Sequence, residues 1–143
     1  MTESVWDYPR PPRLEPVARR LRVEHRGVTV ADAGTGWRVL ETSHPPVFYL
    51  PPAAVRTDLL VASDRRTVCE FKGVAHYWDL VLPDLRVPDV AWSYPEPTPS
   101  YVDIAGALAF YAGKVDRCLV DDEEVTPQAS DFYGGWVTRE ISL

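Results

Sequence analysis

Between residues 69 and 78 the chain places a thiol (Cys69), a carboxylate (Glu70), an ammonium (Lys72), an imidazole (His76), a phenol (Tyr77) and an indole (Trp78). Lys72 is one of only two lysines in a chain that otherwise carries its positive charge as arginine. The segment 67–79 reads as a β-hairpin or a sharply bent strand with a break at Gly73. A lysine inside a concave sheet binds a carboxylate or phosphate as a point charge, and a desolvated amine also serves as a nucleophile. The competing reading is a strand-end lysine facing water beside a glycine bulge. Both readings stand on the sequence.

Strand parity sharpens the choice. In a regular strand running through Gly73, residues 68, 70 and 72 share one face and 69, 71 and 73 the other. Glu70 and Lys72 then meet on a polar face, whereas Cys69 points away and reads as a small buried hydrophobe. Cys118, inside Arg117-Cys118-Leu119-Val120, reads as core. Beyond the glycine, His76 and Trp78 alternate against Tyr77 and Asp79, and Tyr77 across the turn brings a phenol towards Lys72. Glu41 ends the apolar run Trp37-Arg38-Val39-Leu40. It is a candidate general base or partner of Lys72, or else a rim carboxylate accepting backbone hydrogen bonds.

Lys72, Glu41 and Tyr77 are therefore the candidate catalytic residues, and Tyr49, Glu70, His76, Trp92 and Tyr94 the candidate ligand contacts. Large amphipathic rings line ligand sites because they offer area and one hydrogen-bonding tip, although dry packing competes for the same residues. His25, His44 and His76 lie on three separate segments with no metal-ligand spacing, and two cysteines are too few for a cysteine zinc site. No metal and no cofactor are expected. Ser43 and Ser63 lack the flanking glycines of a nucleophile elbow, which argues against a serine hydrolase.

The elements that must position these groups are mostly strands. Alternating runs at 21–25 and 28–32 flank Arg26-Gly27, a hairpin signature. Further strands are predicted at 37–41, 47–50, 66–71, 75–81, 87–92, 117–120 and 124–126. Two short helices of ten to fourteen residues are predicted, one opening at Pro51-Pro52 and ending near Ser63-Asp64 and one opening at 96–100 and stopping before Gly113. Residues 1–20 read as an extended Pro/Arg-rich arm laid over the body by Trp6 and Tyr8, and 21–143 as a single β-rich domain. The expected class is α+β, mainly β, with a strongly curved antiparallel sheet or open barrel.

Composition narrows the partners. At 143 residues the chain supports one domain with a real core. A net charge of −6 argues against nucleic-acid binding. No apolar run approaches the roughly 20 residues needed to span a bilayer, and the first residues lack a signal pattern, so the cytoplasm is the expected compartment. Six arginines between Arg10 and Arg26 face a phosphate, an acidic surface or plain solvent, while Asp121 to Glu124 form an acidic turn.

The order of motifs resembles a bacterial and fungal family, domain of unknown function 427. The residues that carry it are Val28-Thr29-Val30-Ala31-Asp32, Leu40-Glu41-Thr42-Ser43-His44-Pro45-Pro46-Val47-Phe48-Tyr49-Leu50-Pro51 and the segment Thr67 to Asp79. Ala91-Trp92-Ser93-Tyr94-Pro95, Phe110-Tyr111 and Phe132-Tyr133-Gly134-Gly135-Trp136 complete it. The resemblance implies a β-rich domain similar to the Mss4-like barrels. It also brings a nucleotidyltransferase-like label, yet Gly34-Thr35-Gly36 leads into Trp37-Arg38 with no paired metal-binding acids. Three functions follow: a pocket for a small polar or anionic metabolite, a non-catalytic module that binds a partner or forms a homodimer through the N-terminal arm or the aromatic tail, and nucleotidyl transfer.

Overall fold

The computed structural model describes residues 2–143 and builds fifteen strands among them. The first six are β1 (Glu3–Ser4), β2 (Arg13–Val17), β3 (Leu21–His25), β4 (Val28–Ala33), β5 (Gly36–Leu40) and β6 (Val47–Tyr49). Three long central strands follow: β7 (Leu60–Cys69), β8 (Gly73–Leu82) and β9 (Leu85–Ser93). The chain closes with β10 (Leu108–Phe110), β11 (Arg117–Val120), β12 (Glu123–Glu124), β13 (Thr126–Pro127), β14 (Trp136–Val137) and β15 (Ile141–Ser142).

The strands form a mainly antiparallel, mainly β protein. One four-stranded sheet runs β10-β9-β8-β7, a second β12-β11-β3-β4, and a three-stranded sheet β2-β5-β6. Leu50 and Leu108 exchange backbone hydrogen bonds at 2.8 and 2.9 Å, which joins the end of β6 to the start of β10. No sheet among the described residues closes on itself.

Alternation along the joined strands separates two cores. Phe48 and Leu50 flank Tyr49, and Leu108 and Phe110 flank Ala109, so each strand sends its residues alternately to opposite faces. Phe48, Leu50, Leu108 and Phe110 enter an aliphatic core with Leu21, Val23, Val30, Leu80, Val90 and Trp136. Tyr49, Ala109 and Tyr111 enter an aromatic one with Tyr77, Trp92, Tyr94 and Tyr101. Burying each large aliphatic side chain of the first core contributes about 2 kcal/mol. Trp136 anchors that core by stacking on Phe48 at 5.3 Å and donating its indole N–H to the Phe110 carbonyl at 2.9 Å.

The two expected helices are corrected by the structure, which has no α-helix among the described residues. Pro52–Ala54 and Thr57–Leu59 are single 3-10 turns, and Pro99–Ile104 is a six-residue 3-10 segment interrupted at Tyr101. Strand pairing is the reason. Val55 is drawn into an extended conformation that bridges Ala31, and the Arg56 N–H donates to the Val30 carbonyl at 2.8 Å. Residues 108–110 are likewise taken by β9 as its neighbour.

The N-terminal residues are paired into the body, β1 against β15 and β2 against β5. Tyr8 is buried and donates its hydroxyl to Glu3 at 2.7 Å, whereas Trp6 is 66% exposed, so one of the two aromatics anchors this segment. The arginines meet the chain's own acidic turn: the Arg20 N–H donates to Asp121 at 3.1 Å, and Arg22 pairs with Asp122 at 3.4 Å. No helix among the described residues is long and apolar enough to cross a membrane.

Asp79 marks where the central sheet bends. Register slips between Trp78 and Leu80 on β8, opposite Asp89, whose φ is 49°. The buried Asp79 carboxylate accepts from the Asp89 N–H at 2.8 Å and from Arg86 at 2.9 Å, tying down the bulge. Burial works to raise the Asp79 pKa, but the Asp89 N–H and the Arg86 guanidinium outweigh it and hold the carboxyl below its ordinary range. A carboxylate depressed in the folded state contributes stability that is present above its unfolded value, about 4, and is lost as pH falls through the folded one. Asp79→Asn should therefore lower stability at pH 7 by about 1–3 kcal/mol and flatten its decline below about pH 4. Urea unfolding at pH 7 and pH 3 measures this; an unchanged difference between the two pH values would exclude the role.

Candidate functional site

β7 ends at Cys69 and β8 begins at Gly73, leaving Glu70, Phe71 and Lys72 as a three-residue loop. Gly73 has a φ of 113°, a conformation that side chains other than glycine's resist. Thr98 straps the loop from outside. Its N–H donates to the Lys72 carbonyl at 3.0 Å and its hydroxyl to the Phe71 carbonyl at 2.6 Å. The loop is thus turned inward, and Lys72 is left only 8% exposed.

The strand parity expected through residue 72 fails here because the strand stops three residues earlier. Lys72 does not share a face with Glu70, which is exposed. Instead its ammonium donates to the Cys69 sulfur at 3.3 Å and lies 5.7 Å from the centre of the Tyr94 ring. Among the described residues no carboxylate comes within ion-pairing distance of Lys72.

A cavity of about 230 Å³ opens beside this pair. Lys72, Glu41, Tyr77, Tyr49, Glu70, Trp92 and Tyr94 all line it, as do Cys69 and Tyr111. Tyr49 and Trp92 meet edge to face at 6.4 Å, and the Trp92 indole N–H donates to the Tyr49 hydroxyl at 3.4 Å. Burial raises the pKa of Tyr49, Tyr94 and Tyr111, so these walls are neutral phenols. Tyr77 shares a hydrogen bond of 3.0 Å with Thr67, under the Arg65 guanidinium at 4.5 Å from its ring centre. Glu41 pairs with Arg10 at 2.9 Å rather than with Lys72. His76, on the strand face opposite Tyr77, is not among the cavity residues.

The far wall comes from the C-terminal segment, which strand reasoning did not connect to the hairpin. His44 hydrogen-bonds Gln128 at 3.2 Å and lies 4.6 Å from the Tyr133 ring, while the Gln128 side-chain oxygen accepts from the Gly135 N–H at 3.0 Å. The Tyr111 hydroxyl donates to the Phe132 carbonyl at 2.7 Å. Excess aromatic residues in the tail were the only sequence signal for this wall. Among the described residues no three His, Cys, Asp or Glu side chains are grouped to hold a metal ion.

With this geometry in view, comparison with known proteins supplies a family. A family description, domain of unknown function (DUF427), matches residues 13–121. The chain belongs to the DUF427 family. No curated protein matches the chain. The span shared with DUF427 takes in the Cys69–Gly73 loop and both central tyrosines of the cavity, Tyr49 and Tyr77, whereas Gln128 and the Phe132–Gly134 wall lie beyond it.

Gly134 shows how tightly that wall is fitted. A Cβ built there would lie 2.4 Å from Trp92 Cη2 and 3.2 Å from Tyr111 Cδ1. Both rings are themselves packed, 4.6 Å apart. Gly134→Ala should thus cost about 1–3 kcal/mol and shift the tryptophan emission, since the indole must move. Thermal melting with fluorescence detection measures both, and a variant identical to the parent in both would show that the tail is not seated on Trp92.

Proposed function

We propose that this DUF427 protein binds a small anionic metabolite in the aromatic cavity, with the Lys72 ammonium as its counter-ion. The observation that carries this reading is a lysine nine-tenths buried on a cavity wall with no carboxylate partner among the described residues. Burying a charge costs several kcal/mol unless it is paired, and one sulfur and one ring face are weak compensation. A carboxylate or phosphate entering the cavity supplies the missing partner, and the neutral aromatic walls cover an apolar body. Tyr77 and Glu41 also line the cavity, and a phenol and a carboxylate there serve either to orient the ligand or to exchange protons with it. The Leu50–Leu108 junction supports reading the joined sheets as an open barrel around this hollow, the architecture implied by the Mss4-like resemblance.

Thermal shift against mononucleotides and aromatic or aliphatic carboxylates tests the proposal. A binder present at about 100 times its Kd stabilises the fold by about 2.7 kcal/mol, and Lys72→Met should remove that gain. Stabilisation that survives in the variant would take Lys72 out of the site, and a carboxylate and phosphate panel without effect would count against the metabolite reading itself.

Self-association is the second reading, favoured by the outward indole of Trp6 and by Phe132 and Tyr133 exposed at the cavity mouth. On this reading sedimentation velocity detects a dimer that Trp6→Ala dissociates. A monomer at all accessible concentrations would remove it.

A further inference from the structure

We propose that Cys69 is a hydroperoxide-reactive thiol, converted to a sulfenic acid with Lys72 as the group that assists the reaction. The thiol is half-buried on the cavity wall, so a small oxidant reaches it through the same opening as a ligand. It is not a lone cysteine, since an ammonium nine-tenths buried and free of any carboxylate partner donates to its sulfur at 3.3 Å. That ammonium has three N–H bonds, and among the described residues only one finds an acceptor. Two remain to meet an oxygen beside the sulfur.

The step balances with these groups and a hydroperoxide alone. The Cys69 proton passes to solvent, and the Lys72 charge stabilises the sulfur anion that remains. Sulfur attacks the nearer peroxide oxygen, forming an S–O bond as the O–O bond breaks. Sulfur loses two electrons to the peroxide, and the departing oxygen, whose developing negative charge the Lys72 cation stabilises, takes a proton from solvent. The products are the Cys69 sulfenic acid and water or an alcohol.

The chain holds its own control. Cys118 is fully buried in the aliphatic core, no cation among the described residues is hydrogen-bonded to it, and burial raises its thiol pKa. The inference goes beyond metabolite binding and needs no bound metabolite, so the two proposals fail separately.

The experiment treats the full native chain with hydrogen peroxide in the presence of dimedone and maps the adduct by peptide mass spectrometry. The expected result is an adduct on Cys69, none on Cys118, and a rate lowered about tenfold in Lys72→Met but largely kept in Lys72→Arg, which retains the cation. Circular dichroism establishes that each variant is folded. Should Lys72→Met not fold, the contrast between the two cysteines of the parent and the Lys72→Arg rate decide. Equal labelling of Cys69 and Cys118, no labelling of Cys69, or a folded Lys72→Met as fast as the parent overturns the proposal.

Discussion

A φ of 113° at Gly73 closes the β7–β8 loop in three residues, and the direction of Lys72 follows from it. In a longer or looser loop a lysine side chain swings to water, where its charge is best solvated. Here the Thr98 strap occupies the carbonyls of Phe71 and Lys72, so the loop backbone is hydrogen-bonded from outside and the side chain goes in. Substituting Gly73 would strain the turn whatever space surrounds it, because L side chains rarely adopt that φ. The contact between Lys72 and Cys69 is a product of the same turn, which brings back within reach two side chains that a straight strand sends to opposite faces.

The cavity exists because one layer of strands serves two cores that differ in chemistry. The aliphatic face is filled mainly by Leu, Val and Ala around the Phe48–Trp136 stack, interlocked as in any close-packed interior. The aromatic face is built of rigid rings carrying one polar atom each, and such rings cannot fill space without gaps. Trp92 illustrates this: it meets Tyr49 edge-on at 6.4 Å and tilts against Tyr111 at 4.6 Å, and only the absence of a side chain at Gly134 admits the tail against it. Aromatic content and glycine spacing thus make a hollow where the same number of leucines would make a solid core.

Strand existence was legible because it rests on period and turn chemistry. Leu21–His25 and Val28–Ala33 around Arg26-Gly27 follow that pattern, with both turn residues at positive φ, 50° and 76°. The two expected helices are 3-10 turns because Pro51-Pro52 and the proline-rich opening at 96–100 also suit 3-10 turns leading into strands, and pairing with Ala31 and β9 is decided by distant residues. At the site, a polar, ring-rich hairpin was readable. Which face Lys72 took was not, since parity depends on where the strand stops, and the loop that ends it is held by Thr98, twenty-six residues later. Of the three readings open for Glu41, general base, partner of Lys72 or rim carboxylate, the sequence could not choose for a similar reason: Arg10, thirty-one residues earlier, pairs with it.

The charge on Lys72 has two candidate uses, and they compete for the same N–H bonds. Burial strips water from the ammonium, while Tyr94 at 5.7 Å lies near the outer limit of a useful cation–π contact and the surrounding phenols stay neutral. The ammonium is left with weak compensation, and negative charge can come to it either on an incoming ligand or on the Cys69 sulfur. A bound carboxylate or phosphate would take the two unused N–H bonds and stand between the sulfur and the cavity mouth. It would both shield the thiol from an oxidant and neutralise the charge that assists its oxidation. Conversely, an oxygen added to Cys69 would occupy those donors and part of the cavity. A single buried ammonium with one weak partner is enough to couple the two.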